Sequence, residues 1–314
     1  MSTTRTIGGL DPATHRLRNL KLPVIENLPI ISYMHDGLTL AATQRRLVAV
    51  LSPKGAGKSM ALDQALRAAE EAEDAKVEAA AEYLPLAFPR ILSPRSRSRV
   101  EILGAMWKPI TGAEIPRIVR GKARPYEDLI EELVVHLVSM NVGVLVFDEA
   151  ERLSHEGLTV IGDVMKAAEA KGHGRYGEDG RRFAASGVGV LLVGTTRLGP
   201  KLQTWEEAEQ RLLQVRRVGA LEPAEASDIY RRYLPAFEQR AEEDEESWLE
   251  LIRLQVCAGR PITLREIENH TRTYVTRMYA QDAELERPED VPWSEEVFFE
   301  TLTELQVSPV RASA

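Results

Sequence analysis

The chain has 314 residues, 44% apolar and 28% charged, with a formal net charge of −8, which are values of a globular protein with one large or two ordinary domains and a substantial core. Its one cysteine, Cys257, excludes an internal disulfide and fits a reducing compartment. No apolar run reaches the length of a membrane span and residues 1–20 hold no apolar core of signal-peptide length, so a soluble, cytoplasmic protein that meets no membrane is expected.

In chain order, residues 1–31 read as an arm and connector, Leu22 to Ile31 being extended by its two prolines. A helix is predicted over about Ser32 to Thr43 and a first core strand over Arg46 to Leu51. Ser52-Pro53-Lys54-Gly55-Ala56-Gly57-Lys58-Ser59 follows and opens an Ala- and Glu-rich helix that runs to about Ala81. Leu84 to Leu92, interrupted by Pro85 and Pro89, reads as a short strand toward a sheet edge. Ser93 to Arg99 starts a helix that continues through Met106, and a turn is expected around Lys108 to Gly112. Tyr126 to Met140 is amphipathic, with Leu129, Leu133 and Leu137 on one helical face.

Asn141 to Asp148 and Gly187 to Thr196 are almost continuously apolar, the pattern of strands buried on both faces of a parallel sheet. Leu158 to Ala170 is helical and Lys171 to Ser186, rich in glycine, is a long loop. Trp205 to Leu213 reads as a helix and Gln214 to Leu221 as the last strand. Beyond Pro223 only helices follow, over about Ala224 to Leu234, Ser247 to Cys257, Thr263 to Ala280 and Ser294 to Leu305, with the acidic run 242–246 as a solvated loop and helix start. Strands alternating with helices, then helices alone, predict an α/β domain over 32–221, a small helical lid over 222–307 and a tail over 308–314.

The stretch Ser52 to Ser59 has the composition and the strand-to-helix setting of a phosphate-binding loop, in which backbone N–H groups and a helix N-terminus surround an anion. Lys58 would reach the β- and γ-phosphates of ATP and the Ser59 hydroxyl would help hold Mg²⁺. The pattern usually begins with glycine, and here it begins with Ser52. A second strand must bring a carboxylate to the metal, and Asp148, after four apolar residues, does so in the sequence order. Glu149 beside it is the candidate to orient the attacking water. At the tip of the next strand a polar side chain would touch the γ-phosphate or its water; Thr196 is preferred, with Thr195 as the alternative.

Charge is uneven along the chain. From Arg90 to Arg124 the basic residues face only Glu101 and Glu114, while the acidic excess lies in Glu70 to Glu82 and Glu238 to Glu250.

The order of phosphate loop, Val146-Phe147-Asp148-Glu149-Ala150, Gly194-Thr195-Thr196-Arg197-Leu198 and a helical C-terminal part resembles an AAA+ ATPase: a P-loop core with a parallel sheet flanked by helices, followed by a lid. Leu145 to Leu153 and Leu192 to Leu198 resemble more narrowly the TnsC, TniB and MuB-like regulators of DNA transposition. The similarity covers about Leu47 to Ile267. It implies an arginine acting in trans on a neighbouring subunit's nucleotide, at Arg211 or its rivals Arg216 and Arg217. It also implies a lid arginine near the nucleotide at Arg260, or Thr263 in its place. Arg95, Arg97, Arg99, Arg120, Lys122 and Arg124 occupy the stretches that in such regulators follow a duplex DNA backbone inside a homo-oligomer, ring or helical filament. Further partners implied are a transposase and a target-selection protein. Competing expectations are a helicase loader or other AAA+ motor, and an ATP-binding filament protein with little hydrolysis.

Overall fold

The structure, a computed structural model, describes residues 25, 28–80, 84–119, 122–172, 187–258, 262–282, 285 and 287–307. It divides into two compact units, one spanning 27–218 and the other taking in 219–314 together with 1–26.

The first unit runs α1 (Pro29–Gln44), β1 (Leu47–Ser52), α2 (Lys58–Ala79), β2 (Arg90–Leu92), α3 (Arg99–Thr111), a two-stranded ribbon β3 (Ile118–Val119) and β4 (Lys122–Ala123), then α4 (Tyr126–Ser139) and β5 (Val144–Asp148). It continues through α5 (His155–Gly172), β6 (Gly189–Thr195), α6 (Leu198–Gln203), α7 (Ala208–Arg211) and β7 (Leu212–Arg217). The main sheet has the order β2-β5-β6-β1-β7 and every pairing in it is parallel.

Strand alternation explains the layering. Leu47, Ala49 and Leu51 of β1, with Leu145, Phe147, Val190 and Leu192, pack in one cluster with Ile102, Leu103, Met106, Leu133 and Ile161 from α3, α4 and α5. The opposite residues Val48, Val50 and Leu191 face Gly37 of α1. A Cβ on Gly189 would lie 2.2 Å from the carbonyl oxygen of Ala41, so only glycine lets α1 rest this close to β6. Burial on both faces, read from the apolar runs, is thus met at β1, β5 and β6, while β2 lies at the sheet edge as expected.

Several boundaries depart from the sequence reading. Residues Pro29 to Ile31, expected as connector, start α1, because proline at the first helical position forfeits no hydrogen bond. Ser93 to Ser98 is not helical. The Ser96 hydroxyl accepts from the Ser98 N–H at 2.9 Å and the Ser96 carbonyl accepts from the Ser154 hydroxyl at 3.1 Å, bonds that compete with a helix turn. The turn expected at Lys108 to Gly112 is instead the last turn of α3. The helix expected over Trp205 to Leu213 shrinks to α7, α6 before it was not expected, and β7 begins two residues before the predicted strand. Pro200 falls in the first turn of α6, where its missing N–H has no helical partner to lose.

The second unit contains α8 (Pro223–Tyr233), α9 (Pro235–Glu243), α10 (Glu245–Leu251) with a π-helical continuation over Ile252–Cys257, α11 (Leu264–Gln281) and α12 (Glu295–Val307). Helix α9 was not expected; it again starts on proline. Capping boxes Glu222/Glu225 and Thr263/Glu266 fix the starts of α8 and α11. Its core is aromatic, built by Tyr230, Phe237, Trp248, Tyr274, Trp293 and Phe298, with ring centroids 5.1–6.3 Å apart. No helix of the described residues is long and apolar enough to cross a membrane.

Candidate functional site

The loop joining β1 to α2 carries its special geometry at Gly55 and Gly57, with φ of 87° and 83°, the left-handed region open to glycine. Gly57 is the N-cap of α2 and supplies no side-chain bond, so the first-turn N–H groups have no capping side chain. Ser52 is the last residue of β1, paired in register with Thr195 and fully buried, and its φ is not positive. The position is extended strand, and the glycine usually found there is not required. Lys58 donates to the carbonyl oxygens of Pro53 at 2.8 Å and Ser52 at 3.5 Å, so its ammonium lies over the loop. Burial holds Lys58 below the ordinary lysine range, against the charges of Glu151, Asp148 and Glu149, which raise it.

Register brings the other strand tips to this loop. Asp148 ends β5 with its side chain 6% exposed; its Oδ1 accepts the Glu149 N–H at 2.8 Å and its Oδ2 accepts from Arg90 of β2. Glu149 sits in the left-handed region, φ 51° and ψ 40°, capping a single 3₁₀ turn over Ala150–Arg152, and its carboxylate pairs with Arg152. A bulky residue held there is backbone strain of the kind concentrated at functional sites. The turn is tied from beneath by Lys201, which donates to the carbonyls of Glu151 at 2.6 Å and Leu153 at 2.7 Å. Glu151 in turn accepts the Thr195 N–H at 3.0 Å.

Of the two threonines at the tip of β6, Thr195 is the last strand residue and its hydroxyl is buried without a partner, whereas Thr196 is exposed in the turn that follows. The Ser52 and Ser93 hydroxyls are also buried and unpartnered. Ser93 immediately follows β2 and its N–H bonds the Asp148 carbonyl at 3.0 Å. Three orphaned hydroxyls and one buried carboxylate therefore lie along the C-terminal tips of four neighbouring strands. Orphaned donors and acceptors of this kind mark a place completed by something other than protein. Among the described residues no group of three or more His, Cys, Asp or Glu side chains is set to hold a metal. The Ser59 hydroxyl and Asp148 carboxylate give a sparse oxygen set, which fits Mg²⁺ held also by phosphate oxygens and water.

The remaining sequence candidates are dispersed. Arg95, Arg97 and Lys122 are exposed. Arg99 pairs with Glu156 at 2.9 Å and lies over the Tyr126 ring at 5.8 Å, and Arg124 pairs with Glu132. Arg211 is 12% exposed, between Glu169 at 3.4 Å and Glu207 at 3.7 Å. Arg216 bonds Asp36 at 2.9 Å. Thr263 caps α11, its hydroxyl bonded to the Glu266 carboxylate at 3.0 Å. Arg120, Arg260, the arm, the tail and residues 173–186 lie outside the described residues.

Sequence reasoning missed Arg90, which entered only as one of a basic run, and it missed Glu151 and Lys201. Arg90 bridges Asp148 to Asp63 of α2. Burial acts to lower its guanidinium, but bonding and charge from Asp148, then Asp63, outweigh burial and raise it above an ordinary arginine. No periodicity signals such a pairing across 58 residues.

Residues 41–202, more than half of the chain, match a family model described as an AAA domain. No curated protein matches the chain in sequence. Among solved structures, the ORC2 protein of Aeropyrum pernix in its ADP form aligns with a TM-score of 0.56 at 18% identity, over 92% of this chain and 72% of that one. The Aeropyrum pernix ORC1 protein in complex with DNA aligns at 0.52 and 15% identity, over 91% and 67%. Cdc6p from Pyrobaculum aerophilum aligns at 0.53 and 16% identity, over 90% and 73%. At these identities the likeness is one of fold, a five-stranded parallel sheet flanked by helices with a helical C-terminal region. With the glycine-containing loop at the tip of β1 and the family match spanning that loop and strands β5 and β6, the chain belongs to the AAA domain family of AAA+ ATPases.

Proposed function

We propose that the protein binds ATP with Mg²⁺ at the β1–α2 loop, hydrolyses it, and uses that cycle to control a homo-oligomer on duplex DNA. The carrying observation is the row of unpartnered Ser52, Thr195 and Ser93 hydroxyls beside Asp148. In this reading loop N–H groups and Lys58 bind the phosphates, Ser59 and Asp148 hold the ion, Glu149 orients water, and Thr195 meets the terminal phosphate. Gly55, Gly57 and the small residues between Ser52 and Ser59 leave the backbone open to the anion.

Arg211 suits action in trans. Leu212 is in register with Leu47, so Arg211 lies at the opposite end of β1 from the loop, roughly 16 Å away at about 3.3 Å per residue. It cannot serve its own loop, and to serve a neighbour's it must leave Glu169 and Glu207. Arg217, in register with Leu51, is instead at the loop end. The exposed Arg95, Arg97 and Lys122 support a phosphate-tracking DNA face, with Arg99 and Arg124 already paired to carboxylates. That the ORC1 neighbour was solved with DNA supports the same direction. The resemblance of 145–153 and 192–198 to transposition regulators supports a transposase and a target-selection protein as the partners that read this output.

Steady-state ATP turnover with and without duplex DNA tests the proposal. The expected result is stimulation by duplex, loss of about 10²–10⁴-fold in turnover with ATP still bound in Glu149→Gln, and loss of DNA stimulation in the double variant Arg95→Ala/Arg97→Ala. Turnover unaffected by Glu149→Gln removes the catalytic assignment; stimulation by single strands alone turns the reading toward a helicase loader.

A further inference from the structure

We propose that Arg90 is a positioning residue that sets how strongly Asp148 holds a divalent cation, an inference resting on the nucleotide–metal reading above. Arg90 is in register with Val146 of β5, two residues before Asp148, so strand alternation puts both side chains on the same face of the sheet. One guanidinium nitrogen contacts Asp148 Oδ2 and another contacts Asp63 Oδ1. Asp63 is four residues beyond Ser59 on α2, on the same helical face as that hydroxyl. The cation therefore spans the two elements that would supply the metal's protein ligands.

Two consequences follow from charge. A carboxylate only 6% exposed is costly without a partner, and Arg90 is that partner in the absence of metal. The same positive charge competes with a cation for Asp148, since the guanidinium already occupies the Oδ2 oxygen and a metal ion would be repelled by it. Oδ1 is already an acceptor for the Glu149 N–H, so with Arg90 on Oδ2 both carboxylate oxygens of Asp148 are engaged and a cation would have to draw one of them away. Asp63, 51% exposed, draws on the same guanidinium and moderates its grip on Asp148.

The test uses the full chain with ADP and Mn²⁺ as probe, reading free Mn²⁺ by electron paramagnetic resonance, with circular dichroism as a check of folding. Arg90→Gln is expected to tighten ADP-dependent Mn²⁺ binding about tenfold. Asp63→Asn, which leaves Arg90 wholly to Asp148, is expected to weaken it several-fold. A folded Arg90→Gln protein with unchanged or weaker Mn²⁺ affinity overturns the proposal, because a purely structural arginine would shift the melting temperature and leave the Mn²⁺ midpoint in place. Should Arg90→Gln fail to fold, an unchanged midpoint in Asp63→Asn overturns it equally. Asp148→Asn separates the two claims: if it binds Mn²⁺ as the wild type does, or if the wild type takes up none with ADP, the metal reading itself fails.

Discussion

The two units bury polar groups to opposite ends. In the helical unit the buried polar atoms satisfy one another: Tyr230 Oη and His270 Nδ1 are 2.8 Å apart, the Thr301 hydroxyl is 2.7 Å from His270 Nε2, and Trp248 Nε1 donates to Ser227 Oγ at 2.9 Å. Among the described residues Thr271 is the exception there. In the α/β unit the Ser52, Ser93 and Thr195 hydroxyls at the strand tips bond nothing, while aliphatic packing beneath them is complete. The first arrangement is a finished core and the second is a core with an open polar rim. Trp205 Nε1 and Glu207 Oε2 also lack a hydrogen bond in the α/β unit, the latter facing Arg211 at 3.7 Å, but they lie by α6 and α7 and have no part in that rim.

The division can be broken first where packing is densest. Trp248→Ala should cost about 3–5 kcal/mol of stability by opening a cavity among Tyr230, Phe237, Trp293 and Phe298, read from chemical denaturation. A loss under about 1 kcal/mol would mean that the aromatic core is not the unit's main support.

Next comes pH. Burial pushes His270 down to about 4 from 6.5. A base whose folded pKa is depressed stabilises the fold while neutral, so the contribution is whole above about pH 6.5. It is lost progressively as pH falls toward 4, amounting to about 3 kcal/mol. His270→Gln should therefore flatten the stability profile between pH 6.5 and 4 relative to wild type; an equal slope in both proteins would reject the assignment.

The smallest effect sharpens the rim. Thr195→Val should slow ATP turnover about tenfold, or ~1.4 kcal/mol, with ATP affinity unchanged, while Thr196→Val should leave both turnover and affinity as they are. The reverse order would return the role to Thr196.

Much of this was legible in sequence for local reasons. Val144 to Phe147 before Asp148, and Leu47 to Leu51 before the loop, announce buried parallel strands because both faces demand apolar residues. What escaped were features decided by neighbours far along the chain. Whether Thr195 or Thr196 faces the site depends on where β6 stops against Ser52, one residue of register. Arg90 is one arginine among many until β2 pairs with β5. Proline misled at Pro29, read as part of an extended connector but in fact the first residue of α1, and the proline-containing first turns of α6 and α9 went unread. Ser52 departed from the expected motif without consequence, because the conformational demand falls on Gly55 and Gly57.

The sheet order also dictates when the protein becomes competent during its own synthesis. β1, which leads into the loop at 52–59, has as its two neighbours β6 and β7, and Leu47 meets Val190 only after a further 143 residues have been made. At about 5–20 residues per second the loop emerges from the ribosome roughly 7 to 30 seconds before the strands that flank it. In that interval β1 is a lone apolar segment with both hydrogen-bonding edges bare, and nucleotide has no formed site to stabilise. Binding can therefore assist only the last steps of folding, and the nascent chain's exposure to aggregation is set by the length of the α2-to-β6 excursion.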